Sequence, residues 1–206
     1  MDQHALDAAR HCKGFLDEEE GARLYDLART HAHLGPVLEI GSYCGKSSCW
    51  LGAGARAGGG VLLCLDHHRG SEEHQLGEGY HDPDLFDDAA GRVDSLPFLR
   101  RTLHDAGLEE SAVLLVAPSA RVAAFWTTPL GLVFIDGGHS LAAAQTDYQG
   151  FARHVAPGGI LAIHDLFPNP EEGGQAPITI YREALASGLF DELSTVKTLG
   201  VLRRRR

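Results

Sequence analysis

Residues Val37–Ser48 read VLEIGSYCGKSS. An apolar run carries an acid, Glu39, and is followed by two glycines, Gly41 and Gly45, and then Lys46-Ser47-Ser48. This pattern predicts a buried strand turning sharply into a helix, with a turn that lets a ligand approach the backbone. Glycine suits such a turn because it accepts positive φ and has no Cβ to collide with the ligand. Spacing separates the cofactor classes that use turns of this kind. A phosphate-binding loop, G-x-x-x-x-G-K, needs one more residue than Gly41 and Gly45 enclose. The dinucleotide fingerprint, G-x-G-x-x-G, needs a glycine where Tyr43 stands. Both nucleotide readings fail on count.

The chain has 206 residues, enough for one α/β domain spanning 1–206, and 44% of them are hydrophobic. No segment approaches the ~20 continuous apolar residues of a membrane span, so no membrane partner is expected. The first residues, MDQHALDAARHCKGFLDEEE, are charged and lack the apolar stretch of a secretory signal, which makes a cytoplasmic enzyme the expectation. A net charge of −10 disfavours a nucleic-acid partner, and the Arg203–Arg206 run reads as a solvated tail. Cys12, Cys44, Cys49 and Cys64 show no C-x-x-C spacing and read as reduced thiols. Cys44, inside the glycine turn, reads as a lining residue.

Outward from the turn, short apolar runs alternate with helical patterns, as in a parallel sheet wrapped by helices. Strands are expected at Val37–Ile40, Val61–Leu65, Val113–Val116, Leu132–Ile135 and Ile160–Ile163. Helices are expected near Glu18–Ala32, Ser47–Ala57, Leu96–Ala106, Leu141–His154 and Ile178–Ala186. Phe190–Thr195 and Thr198–Arg203 can close the sheet as an antiparallel pair. Two irregular segments, Arg69–Ser95 and Phe167–Pro177, follow strand ends, where open α/β sheets bind ligands. The first is expected to be a lid insertion and the second an acceptor loop.

The polar residues just past each strand should share one edge of the sheet. They are Glu39 and Gly41; Asp66, His67 and His68; Ser119 and Ala120; Asp136-Gly137-Gly138-His139; and His164-Asp165. A carboxylate after the second strand suits ribose hydroxyls, since it accepts two hydrogen bonds. Any one such acid could equally be a helix cap. All the strand ends together point to a site.

These residues resemble a class I S-adenosylmethionine-dependent methyltransferase, specifically the small-molecule O-methyltransferase-like group with a DGxH motif (methyltransferase family 24-like). VLEIGSYCGKSS resembles its first motif and CLDHHRG its second. FIDGGHSLAAAQTDYQGFARHVAPGGILAIHD resembles its most characteristic stretch, with an Asp-Gly-x-His turn, a helix carrying Asp147, a Pro157–Gly159 turn and a strand ending His-Asp. The match covers roughly Val37 to Asp165. Leu141 departs from it, because relatives often carry an aromatic residue there. The resemblance implies a Rossmann-like fold: a mostly parallel seven-stranded sheet, helices on both faces and a C-terminal antiparallel strand pair.

It also implies S-adenosyl-L-methionine as cofactor. Glu39 and the turn Gly41, Ser42, Tyr43, Cys44 and Gly45 would hold the methionine portion, with Ser47 at the helix N-terminus. Asp66 would take the ribose hydroxyls with His67 alongside, Ser119 and Ala120 would border adenine, and Asp136 would face the sulfonium. Lys46 is read as a solvent or surface contact and Asp147 as structural.

Methyl transfer is an in-line displacement, so alignment is most of the protein's task. A hydroxyl acceptor needs a base or a metal beside it. His139, with Asp136, is the catalytic candidate, and a helix cap or cofactor contact is its alternative role. The family resemblance also implies a divalent metal at Asp136, His164 and Asp165. Imidazole in that set suits Mn²⁺, Fe²⁺ or Zn²⁺ better than Mg²⁺. His67 and His68 are adjacent and should point apart, so they are not expected to share an ion. Small-molecule O-methylation is the leading function. N-methylation or another reaction on this fold, and a non-catalytic S-adenosylmethionine-binding protein, are the alternatives. The acceptor is not legible, although the acidic 69–95 segment disfavours a strongly anionic one. Tyr181 and Arg182 either line its pocket or belong to a surface helix. A homodimer through the lid is compatible with a domain of this size.

Overall fold

The computed structural model describes residues 1–138 and 140–206. Seven strands form its main sheet: β1 Val37–Ile40, β2 Leu62–Asp66, β3 Ala112–Val116, β4 Leu130–Ile135, β5 Val155–Ile163, β6 Phe190–Glu192 and β7 Gly200–Arg204. Their order is 3-2-1-4-5-7-6. The first five pair in parallel, and β7 runs antiparallel between β5 and β6. The chain leaves β1 toward β2 and later returns on its other side to β4. A crevice therefore opens at the carboxyl end of β1, the topological switch point of such sheets.

Alternation along the central strands shows why they are apolar throughout. Leu132 and Phe134 of β4 enter one core, while Leu130, Val133 and Ile135 enter the other. Ile160 and Ala162 of β5 likewise oppose Leu161 and Ile163. A strand covered on both faces keeps no polar side. The first face carries helices α1 Gln3–His11, α2 Glu18–His31, α3 Lys46–Ala57 and α4 Leu96–Asp105; the second carries α5 Ser119–Ala123, α6 Leu141–Phe151 and α7 Ala176–Ala186. Among the described residues, no helix is long and apolar enough to cross a membrane.

Three elements differ from the sequence expectation. Helix α1 was not expected; Asp2 caps it by accepting from Ala5 N at 3.0 Å. Lys46 Nζ closes its other end on the carbonyls of Ala9 (2.8 Å) and Cys12 (3.4 Å), so this lysine is a structural tie and not a solvated side chain. Pro157–Gly159 lies within β5 as a bulge, where the register moves from Leu130↔Val155 to Leu132↔Ile160 and Gly158 takes φ +82°. An extra-residue bulge absorbs a proline that has no N–H to give the ladder.

Helix α2 begins with a reciprocal cap, in which the Asp17 side chain and the Glu20 side chain each take a backbone N–H of the first turn. Glu20 is buried nonetheless. The 69–95 segment contains two 3₁₀ turns, Glu72–His74 and Pro83–Leu85, and a short ribbon pairing Phe86–Asp87 with Arg92–Val93. Leu85 and Val93 pack on Cys44, and Lys13 Nζ bridges Asp82 (2.5 Å) and Asp84 (2.8 Å). These contacts pin the segment over the carboxyl edge of the sheet.

Candidate active site

A cavity of about 390 Å³ opens at that edge, within the range of roughly 300–1,000 Å³ typical of small-molecule sites. Gly41, Ser42, Tyr43 and Ser47 of the first turn line it, with Asp66, His67, Ser119, Asp136, His164 and Asp165. His139 lies outside the described residues.

The turn earns its glycines against protein atoms. Gly41 has φ +91°, and a Cβ there would stand 2.2 Å from the carbonyl oxygen of Asp136. Thus β1 and β4 approach each other backbone to backbone at their ends, where a side chain cannot fit. Gly45, at φ +98°, is the N-cap of α3 and faces Leu99 and Thr102, outside the cavity lining. Tyr43 also has positive φ, and its N–H donates to Asp66 Oδ2 at 2.9 Å. The other oxygen of Asp66 accepts from His68 N at 2.7 Å. The acid thereby locks the first and second strand ends together while still facing the cavity.

His68 is buried with φ +57° and places Nδ1 2.8 Å from Ser95 Oγ, and Ser95 lines the cavity. Burial, partly opposed by Asp66, lowers the pKa of His68 and so favours the neutral ring. His67 lines the cavity and His68 does not. Beside Ser119, Asp147 is buried and lines the same cavity. Burial pushes its carboxyl up to about 6, a hydrogen bond with Ser119 opposes this, and nearby Asp66 adds to it. Its Oδ2 lies 2.8 Å from where a Cβ on Gly137 would stand, so it bears on the turn after β4. Asp147 is thus a wall of the site as well as a structural residue.

Asp136, His164 and Asp165 also line the cavity and come together, with one ligand-type atom from each lying within 4.8 Å of the others. His164 Nδ1 is 3.1 Å from Asp136 Oδ1 and 3.4 Å from Asp165 Oδ1, while Nε2 is 3.0 Å from Glu20 Oε2. Burial alone would lower the pKa of this imidazole, but Asp136 and Glu20 override it and raise it to about 11. Glu20 answers in the opposite sense: burial would raise it, yet its bonds to His164 and Thr198 hold it at about 2. A charged imidazole therefore sits among carboxylates. The acid-rich cavity suits a cationic sulfonium.

Several expected site residues lie elsewhere. Glu39 is fully buried beneath the turn and accepts from Ser48 Oγ at 2.5 Å instead of lining the cavity. Burial pushes its carboxyl up to about 7, against the nearby hydroxyls of Ser47, Ser48 and Ser42. Cys44 is turned into the core under the 69–95 segment, and Ala120, like Gly45, is not part of the lining. Tyr181 is buried, with its hydroxyl on Glu192 Oε1 at 2.9 Å, and Arg182 is exposed. Residues 167–176 do not line the main cavity; Pro177 borders a small adjoining hollow with Asp136 and His164. Leu141 is exposed and outside the lining. Conversely, Lys13, Phe15, Lys46, His74, Ser95 and Asp147 line the cavity without having been singled out for it. Phe15, Tyr43 and His74 form a ring wall, with centroids 6.4 Å apart for Phe15–Tyr43 and 5.0 Å for Tyr43–His74.

A mostly parallel sheet of order 3-2-1-4-5-7-6, with a glycine turn after β1, an acid ending β2 and another following β4, defines a class I methyltransferase. Residues 38–166 match the family described as Methyltransferase domain, and the chain belongs to that family of S-adenosylmethionine-dependent methyltransferases. Solved structures share the architecture across the whole chain. One is the O-methyltransferase TomG from Streptomyces achromogenes, involved in tomaymycin synthesis and solved with SAM: 16% identity, TM-score 0.67, covering 100% of this chain and 91% of that one. Another is an SAH-bound methyltransferase from Podospora anserina: 15% identity, TM-score 0.69, coverage 100% and 89%. A third is an O-methyltransferase from Bacillus cereus in complex with SAH: 15% identity, TM-score 0.64, coverage 100% and 92%. At such identities the likeness is one of fold.

Proposed function

We propose that this methyltransferase O-methylates a small hydroxylated acceptor, using the Asp136–His164–Asp165 cluster as its reacting wall. The carrying observation is that this cluster opens onto the same cavity as the glycine turn and Asp66. The methionine portion would lie along Gly41–Tyr43 and Ser47, where α3 begins without a side-chain cap and its first N–H groups suit a carboxylate. Asp66 would hold the ribose hydroxyls, and Ser119 with Asp147 would face the adenine side. The methyl group would then point toward Asp136.

The three side chains fit a divalent cation. Adjacent donors on an octahedral ion lie roughly 3 Å apart when each bond is about 2.1 Å, and the Nδ1–Oδ1 distances match that spacing. One nitrogen with two carboxylates favours Mn²⁺, Fe²⁺ or Zn²⁺ over Mg²⁺. A cation held there would act as a Lewis acid and lower the pKa of the acceptor hydroxyl. Asp136 and Asp165 would bring negative charge next to the sulfonium, and the 69–95 segment would act as a lid that excludes water from the transfer. His139, three residues after Asp136 in sequence, is the base in this reading, with cofactor contact as its alternative.

Calorimetry with S-adenosylhomocysteine and with NAD tests the cofactor; tight NAD binding would refute this reading. Screening hydroxylated and amine acceptors before and after verified chelation tests the rest. Methylation of amines alone would overturn O-transfer, and unchanged turnover without metal would remove the cation. His139→Ala should keep cofactor affinity and lose about 10²- to 10⁴-fold in turnover.

A further inference from the structure

The buried side of His164 is contacted by a residue outside the matched methyltransferase region. Glu20, on the first turn of α2, places Oε2 3.0 Å from Nε2 of the imidazole. Its other oxygen accepts from Thr198 N at 2.9 Å and from Thr198 Oγ1 at 2.8 Å. Oε2 also receives the N–H of Asp17 at 3.3 Å. Every one of these neighbours can donate, and an ionised carboxylate can only accept. Glu20 and His164 are only 2% and 5% exposed, so water does not substitute for these contacts.

We propose that Glu20 is a positioning residue: it fixes a proton on His164 Nε2, so that Nδ1 is the nitrogen through which His164 serves the cleft between Asp136 and Asp165. A carboxylate behind a ligating imidazole sets its tautomer and ring orientation and strengthens it as a donor. Thr198 holds the carboxylate itself, which ties the orientation of the ring to the loop before β7. This inference rests on the reading of Asp136, His164 and Asp165 as the reacting wall.

Glu20→Gln separates shape from proton placement. The amide is nearly the same size but has one accepting oxygen and one donating NH₂. Thr198 N–H at 2.9 Å and Asp17 N–H at 3.3 Å can both only donate; the shorter bond keeps the amide oxygen on Thr198, which turns NH₂ toward Nε2. Nε2 must then accept, so the ring gives up its Nε2 proton and keeps the one on Nδ1, which faces Asp136 and Asp165. The proton on Nε2 is lost while the packing is kept.

Imidazole ¹⁵N spectra of the full-length protein read this directly. In the wild type Nε2 should carry a proton throughout the neutral range; in Glu20→Gln it should show an unprotonated nitrogen. Mn²⁺ affinity, followed by its paramagnetic resonance signal, should fall by about 10- to 100-fold, while S-adenosylhomocysteine affinity stays within about threefold of wild type. A wild-type Nε2 without a proton overturns the proposal even if the variant does not fold. An unchanged Nε2 signal in the folded variant also overturns it, as does loss of the Nε2 proton with unchanged Mn²⁺ affinity. Failure of the wild type to bind Mn²⁺ would instead remove the metal reading, leaving the Nε2 signal as the test of Glu20.

Discussion

Glu39→Gln should abolish a decline in stability that the wild type suffers between pH 4.5 and about pH 7. Glu39 sits at 0% exposure under the cofactor turn, with one oxygen on Ser48 Oγ and the other, Oε1, without a hydrogen bond. Burial raises its carboxyl from the ordinary 4.5 to about 7 in the folded protein. Between those values the folded state binds more protons than the unfolded chain, so stability falls as pH rises. The contribution is whole below pH 4.5 and is lost once the pH passes about 7. The gap corresponds to roughly 3 kcal/mol. Glutamine has no proton to lose, and its NH₂ can face the Ser42 hydroxyl, which has no partner of its own. Urea unfolding of both proteins at low and high pH gives the difference of differences, in which every other titrating group cancels. The variant should gain about 3 kcal/mol on the wild type across the range. Parallel pH curves, within the ~0.5 kcal/mol tolerance of such comparisons, would refute the assignment of a neutral buried acid.

Asp66→Ala should weaken S-adenosylhomocysteine binding by about 10- to 100-fold, as expected for losing a charge-assisted hydrogen-bonding group; calorimetry within threefold of wild type would oppose the ribose role. Gly41→Ala should cost at least about 2 kcal/mol, combining left-handed strain with overpacking against the Asp136 carbonyl, and denaturant unfolding measures it. Lys13→Ala should release Asp82 and Asp84, speeding amide exchange across the 69–95 segment while changing global stability by about 1 kcal/mol or less. Exchange rates that stay unchanged would show that the segment is pinned by Cys44, Leu85 and Val93 alone.

The sheet and its switch point were legible because strands buried on two faces leave a continuous apolar run, and because the polar residue after each strand marks one edge. Position after a strand does not reveal whether a side chain points up into the cleft or down into the core. Glu39 and Cys44 belong to the same motif as Gly41 and Ser42, yet both turn inward, one onto Ser48 and the other under Leu85 and Val93. Asp147 shows the converse, a mid-helix acid whose spacing suggests structure but whose length reaches the cavity. Lys46 reads from its local sequence as a solvent or surface contact, because its partners, the carbonyls of Ala9 and Cys12 at the end of α1, are 37 and 34 residues away. Glu20 was beyond reach for the same reason. Its local signal is that of an ordinary capping-box acid, and its second partner lies in a distant loop.

That distant contact bears on what holds the site together. Glu20 and Thr198 are separated by 178 positions, and Glu20 links Thr198 to His164. Contacts of such long sequence separation carry the greatest loop-closure cost and reward folding late. The glycine turn and Asp66, by contrast, draw on neighbouring strands β1 and β2. The hold on His164 therefore depends on two segments far apart in the chain being docked at once.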